Sequence, residues 1–221
     1  MTTKPWQKFY DYYVPQTIRY PQYPAQKIFQ MTAGVQPNKI CTSFYGTELT
    51  FWQVREQVLR LANALAAQGI KKGDRVGIHL PNSPQFVIAY LAIMHLGAIV
   101  VNMNPLYTVN ELQFLVENTS MAAMITFDMA LDNVRKTAAA TGLKRVIVTK
   151  ITDYINGLGV STAKSLDLEE GWLHFSELIE NCKDTRPPRV PVVPSDPAMI
   201  QFTGGTTGFP KGALLTHGNL V

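Results

Sequence analysis

A short segment near the end of the sequence has the residue types of a phosphate-binding loop. Residues 201–212 read QFTGGTTGFPKG and contain four glycines, three threonines and one basic residue, Lys211. Glycines let backbone N–H groups turn towards an anion without a Cβ in the way, and hydroxyls add further donors. Lysine supplies a compact positive charge. This combination predicts a loop that wraps the polyphosphate of a nucleotide.

Two other glycine-rich motifs do not fit this segment. A Walker A loop has four residues between its first glycine and a Gly-Lys-Ser/Thr ending, whereas Lys211 follows Pro210 and precedes Gly212. A dinucleotide fingerprint needs G-x-G-x-x-G between a strand and a long helix. The composition alone leaves one alternative open, a glycine- and threonine-rich turn that only joins two strands.

The elements around the loop are predicted to be strands of an α/β sheet. The stretches AMIQF and GALLTH flank the loop and are strand-like. Upstream, from about Val76 to Val148, apolar strands alternate with helices of ten to fifteen residues, which is the pattern of βαβ units. Near-continuous apolar strands such as AIVVNM indicate a parallel sheet covered on both faces.

A hairpin and an amphipathic helix precede this region. Ile40 to Phe44 and Glu48 to Thr50 are predicted to pair across a turn. Thr50 should cap the next helix, whose apolar residues recur at spacings of four, three and four, and Gly69 should end it. The members of that stripe are Val54, Val58, Leu61 and Leu65.

Two segments lack a regular pattern. The first two dozen residues contain four prolines and seven aromatic residues, so they predict an irregular arm whose aromatics pack across the body of the protein or on a second subunit. Residues 152–189 are polar and glycine-punctuated apart from a short helix in LHFSELIENC, and are expected to be a surface excursion. We assign residues 1–38 to an extended arm and lead-in, and residues 39–221 to one domain.

Composition and charge exclude several classes of protein. The net charge is only +4 and the basic residues are scattered, which argues against a nucleic-acid partner. Cys41 and Cys182 have no metal-ligand or disulfide spacing, so free thiols are expected. The apolar stretch 86–101 is too short to span a membrane and predicts a buried helix followed by a strand. A cytoplasmic location is expected, with contact at the inner membrane face as an additional expectation.

Some isolated residues have both a functional and a structural interpretation. His217 could approach a substrate, or could simply follow the Thr216 cap at the start of a helix. His95 is expected to be a core histidine with a satisfied partner. Strand ends also carry polar residues where open α/β sheets bind ligands, but we interpret them as turn-forming. These are Asn102, Asn104, Tyr107 and Asp128.

The longer string FTGGTTGFPKGALLTHGNL resembles the signature loop of the acyl-adenylate-forming, or AMP-binding, superfamily. The match covers Thr203, Gly204, Thr206, Thr207, Gly208, Pro210, Lys211 and Gly212, and then Thr216, His217 and Asn219. Phe202 replaces a usual tyrosine. Gly204 with Gly205 gives TGGTTG in place of the serine-containing form, and this variant resembles the bacterial long-chain fatty acyl-CoA ligases. Upstream, KKGDRV, LPNSPQF and VNMNPLYT resemble the first half of the same family. The resemblance covers roughly Tyr13 to the C-terminus and is weakest in 152–189.

The resemblance implies a two-step reaction in which a fatty carboxylate attacks ATP to form an acyl-adenylate, and CoA then displaces AMP. It implies that Lys211 and the loop hold the β and γ phosphates, with Mg²⁺ sharing that charge near Thr206. The cofactor-binding residues would be Thr203, Gly204, Gly205, Thr206, Thr207, Gly208 and Lys211, with Lys211 and His217 as catalytic candidates. The expected small-molecule partners are therefore a fatty acid, ATP and CoA.

The family's ribose-binding, metal-binding and C-terminal catalytic residues would lie after residue 221. We therefore expect these residues to be an incomplete N-terminal part of the large domain that cannot form acyl-adenylate alone. A strand edge left unpaired would favour self-association, so a homodimer is also expected. Two alternatives stay open, a non-enzymatic nucleotide-binding regulator or scaffold and an aryl- or medium-chain acyl-CoA ligase.

Overall fold

A computed structural model describes residues 4–155, 166–203 and 210–221. The strands in these residues are β1 (Ile40–Phe44), β2 (Thr47–Thr50), β3 (Arg75–His79), β4 (Ile99–Asn102), β5 (Ala123–Phe127), β6 (Val146–Thr149), β7 (Leu173–His174), β8 (Pro197–Thr203) and β9 (Lys211–Thr216). The α-helices are α1 (Gln26–Val35), α2 (Phe51–Ala67), α3 (Pro84–His95), α4 (Val109–Thr119), α5 (Leu131–Thr141) and α6 (Phe175–Asn181). None of these helices is long and apolar enough to cross a membrane.

Seven strands form one sheet in the order β7-β6-β5-β3-β4-β8-β9. All neighbours in it are parallel except β8 and β9, which are antiparallel. The parallel pairs among β3, β4, β5 and β6 follow from the crossover helices α3, α4 and α5 that connect these strands. The predicted α/β fold with a mostly parallel sheet flanked by helices is confirmed.

Alternate residues of the buried strands pack into two separate cores, one on each face of the sheet. Ile78 and Ile125 belong to the core formed with α2 and α3, whereas Met124 and Val101 belong to the core formed with α4 and α5. Side chains alternate between the faces of a strand, so a strand that is apolar throughout supplies both cores. This explains why the central strands lack a polar face.

The parallel strands end at a common edge of the sheet, which we call the carboxyl edge. Here Ile78 lies beside Asn102, Asn102 beside Gln201, and His79 beside Thr126. From β3 the chain continues to β4 on one side, while from β5 it continues to β6 on the other. The crevice between β3 and β5 is therefore a topological switch point, where open α/β sheets place ligands.

The predicted hairpin and the helix that follows it are confirmed. β1 and β2 pair antiparallel, and the Thr50 hydroxyl accepts a hydrogen bond from the Gln53 N–H at 3.2 Å to cap α2. All four residues of the predicted stripe of α2 are fully buried. Gly69 follows the helix with φ +83°, a conformation that glycine adopts without steric cost.

The N-terminal segment differs from the prediction in two ways. Most of its aromatic side chains do not pack across the body, because Phe9, Tyr12 and Tyr13, for example, are 79%, 100% and 70% exposed, and packing on a second subunit stays a prediction. Residues 26–35 are also not extended but form α1, which packs on α2 through the buried Ala33. The dense prolines stop at Pro24, so nothing prevents a helix from starting there.

Residues 166–189 are more than the predicted surface excursion. Leu173 and His174 form β7, which extends the sheet beside β6, and the predicted short helix α6 begins at Phe175. The Phe175 side chain is only 1% exposed and belongs to the core formed with α2 and α3. A single large apolar side chain therefore anchors a segment whose composition is mainly polar.

Candidate nucleotide-binding site

The predicted loop lies between the two strands of an antiparallel hairpin. β8 and β9 pair from Pro197 opposite Thr216 to Thr203 opposite Lys211. Thr203 and Lys211 are both exposed, and the Thr203 hydroxyl donates to the Lys211 carbonyl at 3.4 Å. Five of the predicted phosphate-binding residues lie outside the described residues, and their assignment stays a prediction. They are Gly204, Gly205, Thr206, Thr207 and Gly208.

Gly212 has a structural reason to be glycine. A Cβ at this position would lie 3.0 Å from Ile200 Cγ2 and 3.2 Å from two ring atoms of Phe202. Such contacts are tighter than ordinary van der Waals packing, so a larger residue would require the Ile200 and Phe202 side chains to shift by a few tenths of an ångström. Gly212 therefore lets these side chains of β8 pack directly against β9 beside Lys211.

The end of the hairpin at which Thr203 pairs with Lys211 lies at the carboxyl edge of the sheet. The Asn102 side-chain amide donates to Gln201 Oε1 at 3.0 Å and links β4 to β8 there. In the turn that follows β4, the Leu106 N–H donates to Asn104 Oδ1 at 2.9 Å, with Pro105 between the two residues. The prediction that Asn104 forms a turn is confirmed. Asn102 was also predicted to form a turn, but its side chain instead makes a hydrogen bond between two strands.

Two helix N-termini begin just beyond the same edge. Ser83 caps α3, and Thr108 caps α4 together with Glu111, whose carboxylate accepts from the Thr108 N–H at 2.8 Å. Hydrogen bonds from the Thr108 hydroxyl and from the Thr108 N–H lower the pKa of Glu111. Helix N-termini carry partial positive charge, so the carboxyl edge is an electrostatically favourable place for an anion.

His79 is a buried polar residue at this edge that was not among the predicted site residues. It ends β3 at the switch point, and its Nδ1 lies 3.1 Å from Thr126 Oγ1 on β5. Its side chain is fully buried, and its Nε2 has no hydrogen-bond partner in the described part of the chain. Burial lowers the pKa of His79 to about 4, partly opposed by the backbone at Asn104 and Pro105. In the sequence, the only sign of a role for this residue was the position of a histidine at the end of an otherwise apolar strand.

His217 lies at the other end of β9 from Lys211. Six residues of strand correspond to roughly 20 Å, so the structure does not bring these two catalytic candidates together. His217 is fully buried, and its Nδ1 accepts from the Ala25 N–H at 3.3 Å. Thr216 caps the 3-10 turn that begins at His217. Its Nε2 is buried without a hydrogen-bond partner in the described residues, so the catalytic assignment of His217 stays a prediction.

The remaining isolated residues are structural as predicted. His95 is 5% exposed and both of its ring nitrogens lie 3.4 Å from the side-chain amide nitrogen of Gln30. Burial lowers the pKa of His95 to about 4, with a further contribution from the charge of Arg55. Asp128 Oδ1 accepts from the Ile151 N–H at 3.5 Å. Cys41 and Cys182 are free thiols.

Comparisons with known proteins agree with this architecture. The chain is 34% identical over 228 aligned residues to a long-chain-fatty-acid–CoA ligase of Bacillus subtilis, covering 99% of this chain and 41% of that protein. A long-chain-fatty-acid–CoA ligase from Archaeoglobus fulgidus is similar in structure, with a TM-score of 0.71, 26% identity, and coverage of 91% of this chain and 38% of that one. The anthranilate–CoA ligase AuaEII, solved with anthranoyl-AMP, shares the fold with a TM-score of 0.78 at 24% identity, covering 89% and 35% of the two chains.

The family to which the chain belongs follows from a match that covers most of its length. Residues 29–221 match the family of AMP-binding enzymes, and this range includes all seven strands of the sheet and the hairpin that carries the loop. The chain spans less than half the length of the relatives described above. By sequence and fold, this chain is a member of the AMP-binding enzyme family.

Proposed function

We propose that this chain forms the N-terminal part of an ATP-dependent fatty acyl-CoA synthetase and supplies its triphosphate-binding loop. The reaction would join a long-chain fatty acid to AMP with release of pyrophosphate, and would then transfer the acyl group to CoA with release of AMP. The observation that carries the proposal is the β8–β9 hairpin, which presents the exposed Thr203 and Lys211 at the carboxyl edge of a parallel sheet. The similarity to fatty-acid–CoA ligases supports the substrate class.

In this proposal the loop acts by positioning and by charge. Lys211 would offset the charge of the β and γ phosphates, and the hydroxyls of Thr203, Thr206 and Thr207 would donate to their oxygens. Gly204, Gly205 and Gly208 would donate through their backbone N–H groups. Each of these interactions becomes more valuable as negative charge develops on the departing pyrophosphate.

Magnesium fits the proposed site as a phosphate-bound ion. In the described residues there is no group of three or more His, Cys, Asp or Glu side chains that could hold a metal. Mg²⁺ is commonly held mainly by substrate phosphates and water with few protein ligands. We propose the Thr206 hydroxyl as a ligand of such an ion, which would neutralise phosphate charge. A cytoplasmic location is part of the same proposal.

Substitution of Lys211 tests the role of the loop. In the protein that carries this sequence, Lys211→Gln should weaken binding of ATP and of pyrophosphate by about 10- to 100-fold, the value of a charge-assisted hydrogen bond. Affinity for AMP should change little, because AMP lacks the β and γ phosphates. Titration calorimetry with the three ligands measures this, and Lys136→Gln, a substitution of an exposed lysine on α5, is the control. Equal losses for AMP and ATP would contradict the proposed role.

A second assay separates the proposed reaction from its alternatives. In the full-length protein that carries this sequence, palmitate should stimulate exchange of labelled pyrophosphate into ATP, and later addition of CoA should release AMP. Benzoate in place of palmitate tests the aryl-ligase alternative. Binding of ATP without turnover of any acid would contradict the proposal of a synthetase and support a nucleotide-binding regulator.

A further inference from the structure

Two amide side chains join the loop-bearing hairpin to the strand beside it. Asn102 ends β4 and lies next to Gln201 of β8, and its side-chain amide donates to Gln201 Oε1 at 3.0 Å. The Gln201 amide in turn donates to the Phe202 carbonyl at 3.2 Å. Both side chains are half-buried, so water competes only partly for these hydrogen bonds. We call Asn102 and Gln201 the amide pair.

The backbone ladder between β4 and β8 stops at the amide pair. β4 ends at Asn102, whereas β8 continues for two more residues to Thr203, which pairs with Lys211 of β9. Two residues of strand correspond to roughly 7 Å. The base of the loop therefore extends beyond β4, and within the described residues the amide pair is the hydrogen-bonded link to β4 that lies nearest to it.

The amide pair interrupts an otherwise apolar row that crosses the sheet. Successive registered pairs place Ile147, Ile125 and Ile78 in line with Asn102 and Gln201. The three isoleucines are fully buried or nearly so. Apolar side chains at the last two positions would need no hydrogen-bond partner. An amide hydrogen bond is directional, however, so it restricts the relative position of the two strands more narrowly than apolar packing does.

We infer that Asn102 and Gln201 are positioning residues, which hold the hairpin so that Thr203 and Lys211 meet the phosphates of ATP. The inference rests on the proposed function, because it concerns the same phosphate site. Groups that bind a reacting phosphate must be held to within a fraction of an ångström, and the residues that hold them affect binding without touching the ligand. The amide pair is placed for this role, one step along β8 from the base of the loop.

Direct contact between the amide pair and the ligand is the less favourable interpretation. Gln201 uses its Oε1 to accept from Asn102 and its Nε2 to donate to the Phe202 carbonyl. The acceptor oxygen and one donor of this side chain are therefore occupied within the sheet. A third interpretation, that the hydrogen bond only adds stability to the fold, predicts equal effects on all ligands.

Ligand affinities test the inference in the full-length protein that carries this sequence. Asn102→Ala and Gln201→Ala should each weaken binding of ATP and of pyrophosphate about 3- to 10-fold, the value of one neutral hydrogen bond, with little change for AMP. Asn63→Ala, which removes side-chain hydrogen bonds of α2 to the carbonyls of residues 184 and 186, is the control and should leave the three affinities unchanged. An equal loss for AMP, or no loss for pyrophosphate, would overturn the inference.

Two double variants separate positioning from direct contact and from stability. N102A/Q201A should lose no more affinity for pyrophosphate than either single variant, because the two residues act as one unit. Losses that multiply would indicate independent contacts with the ligand and would overturn the inference. N102L/Q201M replaces both amides by apolar groups of similar shape, so the urea midpoint should not fall, yet pyrophosphate should still bind about 3- to 10-fold more weakly. Normal pyrophosphate affinity in N102L/Q201M would also overturn it.

Hydrogen exchange adds a measurement that needs no ligand. In Asn102→Ala the backbone amides of β9 should exchange several-fold faster than in the unsubstituted protein, while those of β5 should be unaffected. Unchanged exchange in β9 would contradict the inference whatever the ligand affinities are. An unsubstituted protein that binds neither ATP nor pyrophosphate would contradict the proposed function and this inference together. Weaker binding in Lys211→Gln with normal binding in the amide variants would contradict the inference alone.

Discussion

Acidification should destabilise the folded chain through its buried histidines, above all His79 and His95. His79 is fully buried and His95 is 5% exposed, and the pKa of each is lowered to about 4. In the unfolded chain a histidine titrates near its ordinary pKa of about 6.5. Between these two values the unfolded state binds more protons than the folded state, so the free energy of unfolding falls as the pH decreases.

The size of the effect follows from the two pKa values. At pH 7 both states of each histidine are mostly neutral, so little stability is lost. At pH 5 the unfolded histidine is largely protonated and the folded one is not, which costs about 2 kcal/mol for each residue. The cost approaches about 3 kcal/mol for each residue below pH 4. A loss of about 4 kcal/mol at pH 5 is a large fraction of the stability of an ordinary domain.

Urea unfolding at a series of pH values measures this loss, with far-ultraviolet circular dichroism as the readout. His79→Gln keeps a polar side chain near Thr126 but cannot be protonated, so the loss between pH 7 and 5 should shrink by about 2 kcal/mol. His95 and His217, whose pKa burial also lowers, should account for most of the remainder. His174→Gln removes a half-buried histidine and serves as the control. An unchanged pH dependence in His79→Gln would refute the reasoning, as would an NMR titration of His79 with a midpoint near 6.5.

Two further predictions concern packing and loop anchoring. Gly77→Ala places a Cβ 2.7 Å from Met121 Sδ and should cost about 1–3 kcal/mol in urea unfolding; an unchanged midpoint would show that this methionine moves aside freely. Asn63→Ala removes donors to the carbonyls of residues 184 and 186, at 3.0 and 2.9 Å, so limited proteolysis near these residues should accelerate several-fold. Asn118→Ala, which removes a bond only within α4, is the control, and equal cleavage rates in both variants would contradict this role.

Local sequence patterns predicted much of the fold, because many of its elements are determined by residues close to one another in the chain. The stripe of α2, its Thr50 cap and the apolar strands all follow from side-chain periodicity or local hydrogen bonding. The pairing of β8 with β9 could be expected because the two strands are adjacent in sequence. The helix α1 was missed because it follows a proline-rich arm and buries few of its own side chains.

Parts of the candidate site could not be read from the sequence. His79 and Thr126 are 47 residues apart, and only the order of strands β3 and β5 makes them neighbours at the switch point. Likewise, His217 appeared close to Lys211 along the chain, but an extended strand separates them in space. The contact between His217 and Ala25 spans 192 residues and depends on where the arm returns to the sheet.

The sequence by itself determined the α/β class, the position of the glycine- and threonine-rich loop and the resemblance to the AMP-binding family, because periodicity and motifs are local properties. Only the tertiary structure decided which strand ends share an edge, that His217 lies at the other end of β9 from Lys211, and that most aromatic side chains of the N-terminal segment are exposed. These features depend on pairing between distant strands and on which surfaces find a partner, and a local pattern contains neither.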